Sequence, residues 1–393
     1  MVTTMIKHLK VKNYLSLQDL SIDLGLRNVL VGPNMAGKSN IVDMFRFLTH
    51  IASTGLMAAV NDRGGFSEIL WKGVDEGQIF ISLRGEFFWQ EKEIRTYEYE
   101  ISLTGSARIG TGTFVVDKET LKRCDLGGEY ILAKFQAGKG KGYNADGSVA
   151  FEEDESSIKS FLEYSIPGWE GMVIKRSIIP WHFYSLSSLA MRQVNTVGEQ
   201  FYLNEHGNNL SAWLLTLQTK YGDEFKRLEQ ALKDIIPEIL GISSPPTQTG
   251  TTFLLMKEKY LKRPTNLWRI SDGALQFLAI LSLIFAPPEL GAPLVCIEEP
   301  ENHLHPKLIE SLVELLNQRQ HELGGERAAQ LIVTTHYPYL IDMFSLNDLL
   351  AVLKEEGGTR CFRAKDKMGL KKVLEQGGLS LSDLWYSGAL GED

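Results

Sequence analysis

The sequence predicts an α/β fold, a mixed β-sheet with helices, split by an insertion. Three stretches carry that prediction. Asn28-Val29-Leu30-Val31 is a short apolar run that leads into a glycine loop, and Ile41, Met44, Phe45 and Leu48 follow it at helical spacing. Pro293-Leu294-Val295-Cys296-Ile297 is a second apolar run, and it ends in paired acids. Gln330-Leu331-Ile332-Val333 is a third, ending in Thr334-Thr335-His336. Short, continuously apolar runs followed by helical patterns read as buried strands of an α/β sheet.

The loop after the first strand reads Gly32-Pro33-Asn34-Met35-Ala36-Gly37-Lys38-Ser39, followed by Asn40. It fits G-x-x-x-x-G-K-[ST], the phosphate-binding pattern, between the strand and the helix that the pattern requires. Glycine lets the backbone curl so that successive N–H groups face one anion. The helix start adds its positive dipole end beneath that anion. Lys38 can reach the β- and γ-phosphates of a nucleotide, and the Ser39 hydroxyl can ligate Mg²⁺.

Before the loop, residues 6–24 alternate in pieces and predict two strands. After it, residues 38–50 and 52–62 predict helices closed by Asn61-Asp62-Arg63-Gly64-Gly65. Residues 78–103 carry β-rich residues at period two and predict a meander that continues through 113–116 and 130–135. Gly138-Lys139-Gly140-Lys141-Gly142 and Asn144-Ala145-Asp146-Gly147 read as loop, and the acidic run 152–155 as a solvated loop. From Asn208 the pattern turns helical. Leu210, Trp213, Leu214 and Leu217 predict one amphipathic face, and Phe225, Leu228, Leu232, Ile235 and Ile236 another, stopped by Pro237. Residues 251–256 and 349–353 read as strands, and 377–393 as a helical or irregular tail. This divides the chain into a lobe at 1–89 with the phosphate loop, an inserted meander and helical lid at 90–265, and a second lobe at 266–393.

Bulk properties narrow the class. The chain has 393 residues, 44% of them apolar and 23% charged, enough for a packed interior of more than one unit. Its net charge is −8, so it is not a general nucleic-acid magnet. Two basic stretches, 134–141 and 257–263, leave local DNA contact open, with solvated loops the plainer reading. The cysteines, Cys124, Cys296 and Cys361, form no C-x-x-C pair and predict a reducing, cytoplasmic setting. The N-terminus has no leader-like apolar core, and the apolar stretch 274–286 is too short for a bilayer, so no membrane segment is expected.

The second half supplies complementary chemistry. In-line attack on a γ-phosphoryl group needs a divalent cation and a base that orients water. Glu298, at the strand tip, is the expected metal-side acid, together with Ser39. Glu299 is the expected base. His336 can hydrogen-bond a γ-phosphate. Ser271-Asp272-Gly273 sets a small hydroxyl and flexible backbone at a helix start, which suits an anion. His303 and His305 lie two apart without a third ligand and read as a surface turn.

Together these four elements resemble the ABC-type ATPase head, in its SMC/RecF/OLD-like branch: Gly32-Pro33-Asn34-x-x-Gly37-Lys38-Ser39-Asn40, the shortened signature Ser271-Asp272-Gly273, Glu298-Glu299-Pro300-Glu301-Asn302-His303-Leu304-His305-Pro306, and Thr334-Thr335-His336-Tyr337-Pro338. The likeness covers residues 1–85 and 265–393, and more loosely the helices after Gly207-Asn208-Asn209-Leu210. It is nearest to compact prokaryotic ATPases found beside a separate effector in anti-phage modules. The resemblance implies a P-loop NTPase of ABC type that binds ATP and Mg²⁺. It implies catalysis by Lys38, Glu299 and His336, and a head-to-head homodimer or larger assembly in which Ser271-Asp272-Gly273 of one copy closes on the nucleotide at Lys38 of another. It implies a switch acting on a separate effector protein, a nuclease or toxin. A RecF-like DNA-binding repair or tethering ATPase is the alternative, and a transporter motor is disfavoured. Glu298 stands where many relatives carry aspartate. The family's Mg²⁺-contacting glutamine has two candidates, Gln78 and Gln90. Only 57 residues follow His336, too few for the nuclease domain of OLD proteins.

Overall fold

The computed structural model describes residues 5–89, 93–108, 110–125, 127–154, 157–324 and 328–366. Gln90 and the expected tail at 377–393 lie outside them. The chain divides into two compact units. One holds the described residues up to Trp181, with Gln330–Ile332 and those from Phe344 on; the other holds His182–Ala329 and Val333–Met343.

The first unit is built on an eight-stranded antiparallel sheet. Its strands lie in the order Leu17–Asp23, Met5–Tyr14, Glu76–Trp89, Glu93–Ser106, Thr113–Asp125, Gly128–Gln136, Lys139–Tyr143 and Val149–Asp154. Period-two alternation puts Ile79, Ile81, Leu83 and Phe87 in the core with Tyr97, Tyr99, Ile101 and Leu103. The helix Lys38–Thr54 packs its apolar stripe in the same unit. Its Phe47 ring lies 5.2 Å from Tyr14 and its Phe45 ring 5.8 Å from Trp181. Arg27–Val31 runs parallel to Leu349–Glu355, which pairs antiparallel with Gly358–Arg363.

The last two strands of the large sheet stand where the sequence predicts loop. Gly140 and Gly142 look like turn residues, but here they make room for aromatic rings. A Cβ on Gly142 would lie 1.9 Å from the Phe151 ring, and one on Gly140 2.5 Å from that of Phe135. Rings laid over strand glycines restore the packing that glycine lacks. Lys139 and Lys141 then pair with Asp154 and Glu152 across the strands, at 2.9 and 3.1 Å.

In the second unit, Leu294–Glu298 runs parallel to His182–Tyr184. Two helices, Leu210–Lys220 and Gly222–Ile235, follow. The second is amphipathic, burying Phe225, Leu228 and Leu232. The first is not amphipathic as expected: every residue from Leu210 to Leu217 is buried, and Trp213 Nε1 donates to Ser282 Oγ at 3.0 Å. Its partner is the apolar helix Asp272–Ile284, buried from Leu275 to Ser282. Among the described residues no helix is long and apolar enough to cross a membrane.

Candidate functional site

The phosphate loop lies in the first unit and is held from beneath by side chains distant in sequence. Buried Asn28 donates to the carbonyls of Gly25 and Leu331 at 2.8 and 3.2 Å, fixing the strand that feeds the loop. Gly32 passes so close to the next strand that a Cβ would meet Val352 O at 2.2 Å. Gly37 has φ +104°, and a Cβ there would lie 2.0 Å from Thr359 Oγ1. Thr359 Oγ1 donates to Ala36 O at 2.9 Å and is 2.6 Å from Ser16 Oγ, which in turn accepts from Asn40 Nδ2 at 2.6 Å. Both glycines are therefore required by backbone geometry.

Lys38 is buried, and its Nζ donates to the loop's own Gly32 and Pro33 carbonyls at 2.7 and 3.1 Å. Pro33, Asn34 and Met35 are exposed, Met35 at φ +68°; Ala36 is buried and Ser39 exposed. The helix begins on Gly37 with no side-chain cap and no acid in its first turn. The cap residue itself thus offers no side-chain acceptor to the helix start, an arrangement suited to a phosphate. One turn on, Asp43 is clamped by Arg63 through two bonds of 2.9 Å and accepts from Tyr14 at 2.6 Å. This network anchors the helix.

A separate cluster lies in the second unit. Glu298 ends its strand. Glu299 adopts φ +46°, a conformation costly for a residue with a side chain, and its N–H donates to Thr334 O at 3.0 Å. The turn aims its carboxylate at two partners: His336 Nδ1 lies 3.2 Å from Oε1, and Asn302 Nδ2 donates to Oε2 at 3.1 Å. Beside them Glu301 is buried and accepts from Thr335 Oγ1 at 2.5 Å, while its Oε2 has no hydrogen-bond partner among the described residues. Burial pushes the Glu301 carboxyl above its ordinary pKa. His305 caps the helix Pro306–Leu323 by accepting from Lys307 N–H at 3.3 Å.

Ser271 is the N-cap of the helix Asp272–Ile284, its Oγ accepting from Ala274 N–H at 3.3 Å. Gly273 abuts the turn after the acidic strand, where a Cβ would lie 2.5 Å from His303 O. Sequence reading missed the residue that fixes this corner. Arg192 pairs with Asp272 at 2.6 Å and donates to the carbonyls of Ile270 at 2.6 Å and Ser188 at 3.0 Å. Its guanidinium holds the Asp272 carboxyl below the usual carboxylate range. No pattern in the sequence links Arg192 to a helix start some eighty positions away. Glu301 was inside a quoted motif but had no role, because its burial is invisible until the turn is folded.

Gln78, a candidate for the metal-contacting glutamine, sits in a strand of the first unit. Its Nε2 donates to Thr104 Oγ1 at 3.3 Å and Asp117 Oδ2 at 3.2 Å.

Residues 186–342 match a family model described as "AAA domain, putative AbiEii toxin, Type IV TA system". A search of curated proteins finds no match. Among solved structures the chain is similar to an SMC head bound to the C-terminal winged-helix domain of ScpA, at TM-score 0.53 and 12% identity over 91% of this chain and 97% of that one. It is also similar to the SMC head domain with an extended coiled coil, bound to a C-terminal ScpA domain, from Pyrococcus furiosus. That match has TM-score 0.52 and 11% identity over 95% of this chain and 100% of the other. At such identities the likeness speaks for fold. The fold of this chain is thus similar to that of SMC head domains.

Proposed function

We propose that this chain is an ATP-hydrolysing switch that closes head-to-head on a second copy and controls a separate effector protein, in anti-phage defence. The carrying observation is the Glu299 turn: a carboxylate held between His336 and Asn302 at a strained strand end, in a chain that also presents an uncapped phosphate loop. The uncapped helix start, the required glycines and the exposed Ser39 fit a nucleotide phosphate with its Mg²⁺. Mg²⁺, when bound, neutralises charge on the phosphates.

The chain's own residues take the following roles. The loop N–H groups and Lys38 bind the triphosphate. Ser39 and Glu298 hold the metal. Glu299 orients the attacking water and takes its proton, with Asn302 and His336 fixing the carboxylate. His336 also reads the γ-phosphate. Ser271-Asp272-Gly273, steadied by Arg192, serves the nucleotide of the partner copy. Since γ-phosphate contacts of this kind form only in the closed dimer, ATP favours association and hydrolysis releases it. The effector role draws support from the toxin–antitoxin wording of the matched family and from the partner domain named with the similar SMC heads.

The test is phosphate release by wild type, Lys38→Ala and Glu299→Gln, with nucleotide binding measured alongside. Turnover lost in both, with binding kept only in Glu299→Gln, supports the reading; normal turnover in Lys38→Ala overturns it. A RecF-like DNA-binding ATPase is the second reading, favoured by one surface feature taken up next.

A further inference from the structure

The two basic stretches of the sequence have different fates. In the first, Lys139 and Lys141 are neutralised by Asp154 and Glu152, while Lys134 is exposed. The second runs from the end of the strand Leu255–Glu258 into the turn before Thr265–Asn266. There Lys257, Lys259, Lys262 and Arg263 are all exposed, and none makes an ion pair among the described residues. Glu258, the only acid of the stretch, is half-buried and accepts the Thr265 hydroxyl at the hairpin base, so it does not screen the tip. Tyr260 crowns the turn, 80% exposed, with Leu261 at 51%. Lys259 Nζ lies 5.6 Å from the Tyr260 ring centre. In a chain of net charge −8, four exposed cations within seven residues of an exposed aromatic ring form a distinct surface.

We infer that this hairpin binds single-stranded nucleic acid, the cations following the phosphates and Tyr260 stacking on a base. Cations alone would serve any polyanion. The ring is what selects nucleic acid, because every base offers a face to stack on and an acidic protein offers none. The ring selects single strands, because a duplex keeps its bases stacked internally. The inference deepens the second reading above and does not depend on hydrolysis, which is followed separately on the same preparations.

The experiment is fluorescence anisotropy with a labelled thirty-nucleotide oligothymidine and a duplex of equal length, titrated with the full chain from 50 to 200 mM salt. The wild type and Lys38→Ala should bind the single strand more tightly than the duplex, with affinity falling steeply as salt rises. Replacing Lys257, Lys259, Lys262 and Arg263 together by alanine should flatten the log–log salt slope by about 3, at about 0.7 per phosphate contact on single strands. Tyr260→Ala should weaken binding about ten-fold at unchanged slope. Lys139→Ala with Lys141→Ala should change neither quantity. The hairpin variants are on surface side chains, and unchanged melting and ATP turnover confirm that they fold; Lys38→Ala is checked by melting alone. Absence of binding at 50 mM salt, an unchanged slope in the quadruple variant, or preference for the duplex overturns the inference. So does equal competition by polyglutamate with no effect of Tyr260→Ala, which would mark the tip as a general polyanion or acidic-protein surface.

Discussion

The phosphate-loop half and the acidic half are held in different ways. The loop is shaped by its backbone and propped by side chains: Gly32 and Gly37 stand where no Cβ fits, and the Thr359, Ser16 and Asn40 side chains bond beneath it. The acidic half is fixed by side chains: Glu299 by His336 and Asn302, Glu301 by Thr335, the Ser271 corner by Arg192. A backbone-built site binds and changes little. A side-chain-built site can rearrange when one partner is lost, which suits chemistry and switching. Substitution should therefore be all-or-none in the first half and graded in the second.

The largest expected effect is Lys38→Ala, which removes the loop's only cation. The specificity constant for ATP should fall by at least about 1,000-fold, read as phosphate release and nucleotide binding together. Glu299→Gln should lower turnover by about 100- to 1,000-fold while ATP binding persists, because the amide keeps the shape and cannot take a proton. If Glu298→Gln alone stops turnover and Glu299→Gln does not, the metal and base roles are reversed. Arg192→Ala should lower turnover about ten-fold, the scale of a lost charge-assisted bond, with nucleotide affinity at Lys38 unchanged and partial rescue by Arg192→Lys. A structural role alone would lower the melting temperature without separating binding from turnover.

The smallest effect lies far from either half. Glu119 is fully buried, accepting from Tyr99, Ser160 and the Phe161 N–H, and burial pushes its carboxyl from about 4.5 up to about 7. The folded state therefore holds this proton more tightly than the unfolded chain. Stability from this group is full below about pH 4.5, falls as pH rises towards about 7 and stays low above it. The loss is about 3 kcal/mol at most. Glu119→Gln should flatten the melting-temperature profile over that window and leave turnover at fixed pH near wild type. An unaltered profile would show that Glu119 titrates normally.

What the sequence made legible follows the same division. The loop's glycines, its strand and its helix could be read because backbone demands select residue types locally. The strand ending in Glu298 and the helix opened by Ser271 were readable for the same reason. Arg192 could not be read, since its three partners lie within a corner assembled from distant segments. The hairpin at 139–154 was misread because Gly140 and Gly142 answer to the rings of Phe135 and Phe151, not to a turn. The helix Leu210–Lys220 was misread because Ser211, Ala212 and Thr216 are small enough to be buried beside leucines. The unpaired cations of 257–263 and the paired ones of 139–141 look alike in sequence; only the cross-strand register separates them.

Catalysis shared between copies is the central claim, and mixing two inactive variants tests it most directly. Lys38→Ala ruins the binding half of one site, and Ser271→Arg the closing half of another. Each alone should be inactive, Ser271→Arg with ATP binding intact. In an equal mixture half the dimers are mixed, and each mixed dimer has one undamaged site of two. Turnover should therefore recover to about one quarter of wild type, as expected for an isologous dimer. No recovery, with mixed dimers demonstrated, or undiminished turnover by Ser271→Arg alone, would contradict it.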